Sequence, residues 1–439
     1  MNGPLYRQTI NKKAISTRKK DKGDDPMDNL TRWFLENQTG LSFNVLALLF
    51  MTHAMFSKAR PVTSKFFTLS HYNAETGKYA AGFDDLYFMT FCIVLFTGLR
   101  AGVMEYILAP LAKHWGLTKR KEVTRFSEQA WLFTYCSVFW PLGLYIYCNS
   151  TYFLNMTELW TNWPDRELMG IMKGYMLAQW SFWIQQVLVI HIEDRRKDHW
   201  QMLVHHFVTI TLISTSYAYH QTKVGHMILV LMDVVDLFLP LGKCLKYLGY
   251  KTICDVVFGL FMVSWFFARH VLYLMTCWSI YADLPRLVSF GCYSGNMNDR
   301  KGPLPVPDGW SHVFEPFLKP EGLVCWNDNT TFFFLFCLLF LQVITIMWFL
   351  EIVRIAARVL KGGSAEDTRS DDEAEEDEEE FEYHDLQPIK EEVGVEQIDL
   401  HGWGRRNNGH NKAGVTTSSS VSLPGKELLN RIGCEKQIE

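Results

Sequence analysis

The sequence predicts an all-α integral membrane protein with about eight transmembrane helices, and three observations predict it. Between Leu41 and about Ala356, apolar stretches near 20 residues long alternate with short polar connectors; about 20 residues of helix cross a bilayer. Apolar and charged residues are segregated into blocks, so the mean hydropathy of −0.02, ordinary for a soluble protein, averages over unlike regions. Both ends are polar: the first 40 residues are basic, and everything after Lys361 is acidic and then rich in Gly, Ser and Asn. These features exclude a soluble globular domain and a chain disordered throughout. They also argue against an outer-membrane barrel, whose strands alternate over about 10 residues.

Taken in order, residues 1–40 form a basic arm carrying Arg7, Lys12, Lys13, Arg18, Lys19, Lys20 and Lys22. Residues 41–85 hold a first span, 41–57, interrupted by Asn44 and His53, and a connector. Residues 86–356 carry the other spans, at 86–110, 128–148, 171–192, 201–221, 225–245, 252–276 and 331–355, with a long loop over 278–329. Residues 357–439 are an acidic tail in which SDDEAEEDEEEFE cannot bury apolar surface and should stay solvated. The N-terminus is polar, so a cleavable leader is not expected.

Orientation follows from Lys and Arg in short connectors. Lys113–Arg125, Asp194–His199, Lys243–Lys251 and Arg354–Lys361 are basic and fall on one side together with the arm. Both termini are therefore expected in the cytosol. The segment after the first span, with Lys58, Arg60, Lys65 and Lys78, runs against the rule. The opposite, lumenal side receives three N-x-S/T sequons, at Asn149, Asn155 and Asn329, as glycosylation candidates. Ten cysteines are scattered without a CxxC pair. Cys292 and Cys325 share the long lumenal loop and are the expected disulfide, with Cys148 and Cys277 as rivals. In the tail, Ser364-Ala-Glu-Asp and Ser370-Asp-Asp-Glu each place an acidic residue three positions after a serine, an acidophilic-kinase pattern. The bland alternative is a tail that only keeps the C-terminus soluble.

Ionisable groups inside spans are costly and usually face a cavity, a partner or a substrate. The fifth span opens Gln201-Met-Leu-Val-His-His, which puts His205 and His206 one to two turns from the cytosolic side, roughly 6–9 Å deep. The sixth contains Met232-Asp-Val-Val-Asp, so Asp233 and Asp236 lie three apart and share a face. A very short turn joins these spans, making them antiparallel neighbours whose pairs can face each other. A carboxylate accepting from one imidazole nitrogen would set its tautomer and leave the other nitrogen as base or nucleophile. The alternative is a polar cluster that glues helices together. Which histidine leads is open, because adjacent helical residues point about 100° apart. One adjacent His pair among scattered histidines lacks the clustered boxes of a metal-dependent lipid hydroxylase, so no metal is expected.

The order Arg195-Arg196-Lys197-Asp-His, then His205-His206, Thr209, Ser216-Tyr217, Lys223-Val-Gly225, Asp233, Asp236 and Lys243 resembles acyl-CoA-dependent ceramide synthases, the Lag-type members of the TLC superfamily. Arg125-Phe-Ser-Glu-Gln-Ala-Trp131, Asn162-Trp-Pro164, Gln185-Gln186, Trp265 and Arg269 extend the resemblance, which covers about residues 60–360 and is similar to fungal members. Met232 and Pro240 stand where many members have His and Glu. The resemblance implies a six-helix bundle enclosing a lipid cavity in the endoplasmic reticulum membrane, and N-acylation of a sphingoid base by a fatty acyl-CoA. It implies His205, His206, Asp233 and Asp236 as catalytic. Arg195, Arg196, Lys197, Arg269, Tyr217, Gln186 and Trp265 are implied in substrate binding. Acyl-CoA is then a substrate, with no cofactor, no metal and no nucleic acid, and with a small single-span accessory subunit or a homo-oligomer as partner. A TLC protein that only binds lipid or assists translocation is the alternative, and joint possession of the His and Asp pairs discriminates against it.

Overall fold

The computed structural model describes residues 26–192, 198–295, 299–319 and 321–361, all within one unit that spans Met1–Phe381. Arg195, Arg196, Lys197, Ser364 and Ser370 lie outside the described residues.

Helix α1 (Pro26–Met55) begins well before the apolar run expected from Leu41. The one breaker in its path, Gly40, costs a helix interior only about 1 kcal/mol, and nothing crowds it. After α2 (Arg60–Phe67) and the hairpin β1 (Tyr72–Asn73)–β2 (Lys78–Ala80) comes α3 (Asp85–Val103). A π-helical turn, Met104–Leu108, joins α3 to α4 (Ala109–His114). Pro110 explains that turn, since it lacks the N–H of a regular helix and its ring would meet the carbonyl four residues back. Next are α5 (Arg120–Cys148), β3 (Glu167–Leu168), α6 (Gly170–Ile192), α7 (His199–Ala218) and α8 (Thr222–Tyr247). A second π-helical segment, Phe266–Leu272, lies between α9 (Lys251–Trp265) and α10 (Tyr273–Ala282). The loop holds α11 (Leu284–Leu287), β4 (Gly291–Ser294), β5 (Lys301–Leu304), α12 (Ser311–Leu318) and β6 (Val324–Trp326) before α13 (Asp328–Leu360).

Six of the predicted spans fall within one of these helical segments, while 41–57 overruns the end of α1 at Met55 and 201–221 the end of α7 at Ala218. Four of the segments, Asp85–His114, Thr222–Tyr247, Lys251–Leu287 and Asp328–Leu360, are long and apolar enough to cross a membrane by length and composition alone. That establishes a multi-pass membrane protein but not the full expected count of eight. Helices α5, α6 and α7 are rich in Trp, Tyr, Gln, Ser, Thr and His, which lowers their hydropathy.

Four connectors meet at one end of the bundle, the end expected to be lumenal. β2 pairs with β3, joining the first connector to the 149–170 segment. Arg166 then donates to the carbonyls of Tyr293 and Gly322, and Arg300 to that of Trp163. The α7–α8 turn is held there too, by Trp163 Nε1 donating to the Tyr219 carbonyl at 2.9 Å. Two of the basic residues in the connector that ran against the charge rule have local partners. Lys65 pairs with Asp84 at 2.9 Å, and Arg60 donates to the carbonyls of His53 and Ala54 at the end of α1.

The three-stranded sheet β5-β4-β6 sets Cys292 opposite Cys325, and a disulfide joins them. Both cysteines are buried. Peptide mapping without reduction is expected to recover the two as one linked pair, and a Cys292→Ala/Cys325→Ala variant to lose about 2–5 kcal/mol. Recovery of both as free thiols would refute the pairing.

Candidate active site

Helices α7 and α8 are joined by a tight turn but do not zip together. α8 packs chiefly on α5 and α9, while α7 packs chiefly on α6 and more lightly, and equally, on α13 and α8. α7 and α8 approach closely beside the turn, where a Cβ on Gly225 would lie 2.5 Å from Ser216 Oγ. Glycine here permits a backbone approach that any side chain would block. Farther along, a cavity lies between the two helices, lined by Thr209 and Leu212 of α7 and by Ile228 and Met232 of α8. The expectation of facing neighbours is thereby corrected: the His and Asp pairs look across a space.

Heights along the two helices agree. His205 lies thirteen residues before Ala218 and Asp236 fourteen after Thr222, placing both roughly 20 Å from the turn. His205 and Asp236 line the cavity, with Arg269 between α9 and α10. The imidazole of His205 sits among the rings of Trp183 and Trp348, with centroids 5.7 and 5.4 Å away. Its Nδ1 has no hydrogen-bond partner among the described residues.

His206 turns elsewhere. It is buried, and its Nδ1 donates to the Met202 carbonyl at 2.7 Å, which fixes the proton on that nitrogen and leaves Nε2 unprotonated in the neutral ring. The carboxylates also part company. Gln179 Nε2 donates to Asp233 Oδ2 at 2.6 Å, and Tyr135 donates to Gln179 Oε1 at 3.0 Å, so Asp233 belongs to a buried network with α5 and α6. Asp236 accepts from Arg269 at 3.2 Å. The same guanidinium group donates to the Met232 carbonyl at 3.0 Å, and its carbon lies 4.2 Å from the Trp265 ring centroid. The Asp236 side chain remains 39% accessible against 7% for Arg269, so the carboxylate is the more accessible member of the pair. Residues three apart differ by roughly 60° around a helix, enough for one aspartate to meet α6 and the other the cavity. The expected carboxylate–imidazole pairing does not form; a backbone carbonyl orients His206 and aromatic rings enclose His205.

The substrate-binding expectations divide similarly. Arg269 lines the cavity and Trp265 supports it from behind. Gln186 is buried and donates to Gln185 at 3.2 Å, away from the cavity. Tyr217 donates to Asp85 Oδ2 at 2.7 Å, also away from it. Gln179, Tyr135 and Trp183 join the site without having been candidates from the sequence. Gln179 had a signal, being an intramembrane amide four residues before Trp183 on one face of α6. Among the described residues, no three His, Cys, Asp or Glu side chains converge to hold a metal ion.

Between the polar groups and the turn the walls are apolar, with Leu212, Ile213, Ile228, Leu338 and Leu341 among them. An elongated apolar slot with ionisable groups at one end is a place for a lipid chain bearing a reactive head. The TLC domain model, of the TRAM–LAG1–CLN8 type, matches residues 125–354, more than half of the chain.

The chain belongs to the TLC-domain family. This TLC protein is 47% identical over 396 residues to Ceramide Synthase FUM18 of Gibberella moniliformis, covering 90% of each chain. It is 42% identical over 351 residues to the sphingosine N-acyltransferase-like protein ALT7 of Alternaria alternata, covering 79% of this chain and 78% of the relative. To the sphingosine N-acyltransferase lag1 of Schizosaccharomyces pombe it is 37% identical over 341 residues, covering 78% and 80%.

The expected glycosylation positions are exposed at the connector end, with Asn329 in the first turn of α13 and Asn149 capping α5. Asn155 Oδ1 accepts from Thr157 Oγ1 at 2.7 Å.

Proposed function

We propose that this TLC protein is a ceramide synthase, an acyltransferase that moves a fatty acyl group from acyl-CoA to the amine of a sphingoid base, giving a ceramide or dihydroceramide and CoA. One observation carries the reading: His205 and the Asp236–Arg269 pair stand at matching height on the walls of one elongated apolar cavity. The names of its relatives agree with it.

The acyl chain lies along the apolar walls, and its thioester carbonyl comes to rest beside His205. The amine nitrogen forms the new C–N bond, the C–S bond breaks, and the proton lost by the amine ends on the CoA thiolate. His205 serves this exchange in one of two ways. As a base it carries the proton; as a nucleophile it first takes the acyl group on an imidazole nitrogen and then yields it to the amine. Arg269 Nε has no partner among the described residues, which leaves an N–H for the oxygen that becomes negative in the tetrahedral state. Trp183, Trp348 and the apolar walls keep water from the thioester. CoA itself stays in the cytosol, where Arg195, Arg196 and Lys197 are the candidates to hold its phosphates.

The reading includes eight spans, cytosolic termini, the endoplasmic reticulum membrane and glycosylation at Asn155. The meeting of four connectors at one end supports this topology.

Purified protein given a panel of fatty acyl-CoAs and dihydrosphingosine is expected to release one free CoA per N-acylated base. Burst release of CoA before base is added would favour the acyl-imidazole route. Tight lipid binding without product from any acyl-CoA would replace this reading with that of a non-enzymatic lipid binder.

A further inference from the structure

The far end of the cavity is polar again, which an unsubstituted hydrocarbon tail does not require. Gln221 follows the α7 end and immediately precedes α8. Its side chain lines the cavity and is 3% exposed, and its Nε2 has no hydrogen-bond partner among the described residues. Ser216 lies beside it on the cavity wall, with its hydroxyl hydrogen committed to the Ile213 carbonyl at 3.1 Å and its oxygen still able to accept. The surrounding walls are Trp160, Trp326, Ile280 and Phe334. The tryptophan indoles are not available as partners: Trp160 Nε1 donates to Ser279 Oγ at 2.9 Å and Trp326 Nε1 to Thr331 Oγ1 at 3.0 Å. A buried amide against a terminal methyl group forfeits its hydrogen bonds, at about 1–3 kcal/mol.

We propose that Gln221, with Ser216, forms an oxygen-recognising subsite for the distal end of the acyl chain, so that the preferred acyl-CoA bears a hydroxyl at or near its ω carbon. A hydroxyl both donates and accepts, so it satisfies the Gln221 amide in either orientation of its oxygen and nitrogen. The distance is fixed by the fold. Eleven residues of α7 separate His205 from Ser216, roughly 16 Å of axial rise, so a single chain length brings carbonyl and hydroxyl to their partners together. A hydroxyl placed mid-chain would instead face Leu212, Ile228 and Leu338 and lose its partners. The subsite leaves the chemistry at His205 untouched and selects among substrates for it.

This inference rests on the ceramide synthase reading, and the test separates the two. The full-length protein in detergent or nanodiscs is assayed with a length series of ω-hydroxy fatty acyl-CoAs and their unsubstituted counterparts, with one sphingoid base. A second arm moves the terminal hydroxyl to the base and keeps the acyl chain plain. The wild type is expected to favour the hydroxylated acyl chain about tenfold in kcat/KM at one optimal length, through KM more than kcat. Gln221→Leu is expected to abolish that preference while keeping turnover of unsubstituted chains, and Gln221→Asn to shift the optimum to longer chains. Turnover of plain acyl-CoA with no preference for the hydroxyl at any length overturns the inference and leaves the enzyme reading standing. So does a preference that survives in Gln221→Leu, or one that appears only in the arm with the hydroxylated base. No turnover of any acyl-CoA by wild type overturns both.

Discussion

His205→Ala is expected to lower N-acylation by roughly 10³-fold or more while leaving the protein folded. The imidazole faces the cavity, and its contacts are with the Trp183, Trp348 and His206 rings. With no partner at Nδ1 among the described residues, its removal strands no donor or acceptor there, and thermal unfolding should change little. His206→Ala should behave in the opposite sense. That side chain is buried and spans to the Met202 carbonyl, so its loss opens a void inside α7's packing and lowers stability, with turnover falling through a misplaced His205. The two variants are compared by ceramide formation and by thermal unfolding in the same detergent. Near-normal turnover in His205→Ala would sink its assignment as the reacting group. Loss of activity only in proportion to loss of folded protein, in both variants, would make the pair structural.

The helices themselves were legible because membrane spans are local: about 20 apolar residues announce themselves without knowledge of their neighbours. The polar residues within them were legible as a group for the same reason, since each is expensive in lipid. What each one touches was not legible. Asp233 and Asp236 differ by roughly 60° around α8, and whether that angle separates them depends on where α6 and α10 lie, which no spacing in α8 encodes. Tyr217 illustrates the same limit at greater range, because its partner Asp85 is 132 residues away in sequence. The short turn between α7 and α8 suggested contact along their length, whereas Gly225 meets Ser216 beside the turn and a cavity lies between the helices farther along. Trp160 and Trp326 come from connectors outside the predicted spans, Trp326 from the short strand β6, and they nonetheless line the cavity beside the turn. The site is therefore a product of tertiary placement applied to residues the sequence could nominate but not arrange.

Placement of α7 depends on a buried ion pair whose disruption should cost several kcal/mol of stability. Lys173 of α6 and Asp85 at the start of α3 lie 2.6 Å apart, with side chains 0% and 4% exposed. Each has further partners. Lys173 Nζ donates to the carbonyls of Ser70 and Ala80 at 2.9 and 2.7 Å, while Asp85 Oδ2 accepts from the Gly82 N–H at 2.9 Å and from Tyr217 at 2.7 Å. The cluster thus fastens α3, α6, the first connector and the far end of α7 at one point. Replacing both charges with apolar groups would not necessarily destabilise, but removing one leaves the other uncompensated, typically at 3–5 kcal/mol. Lys173→Met is accordingly expected to lose about 3–5 kcal/mol, since it strands the Asp85 carboxylate and two carbonyls. Adding Asp85→Asn should recover part of that loss: the carboxamide oxygen still accepts from Tyr217 and Gly82, and no isolated charge remains. Turnover should track the same order, because Tyr217 anchors the helix that carries His205. Unfolding of the two single variants and the double variant measures the coupling. Strictly additive losses would mean that Lys173 and Asp85 act independently, and that α7 is held in register by its packing against α6 and α13 instead.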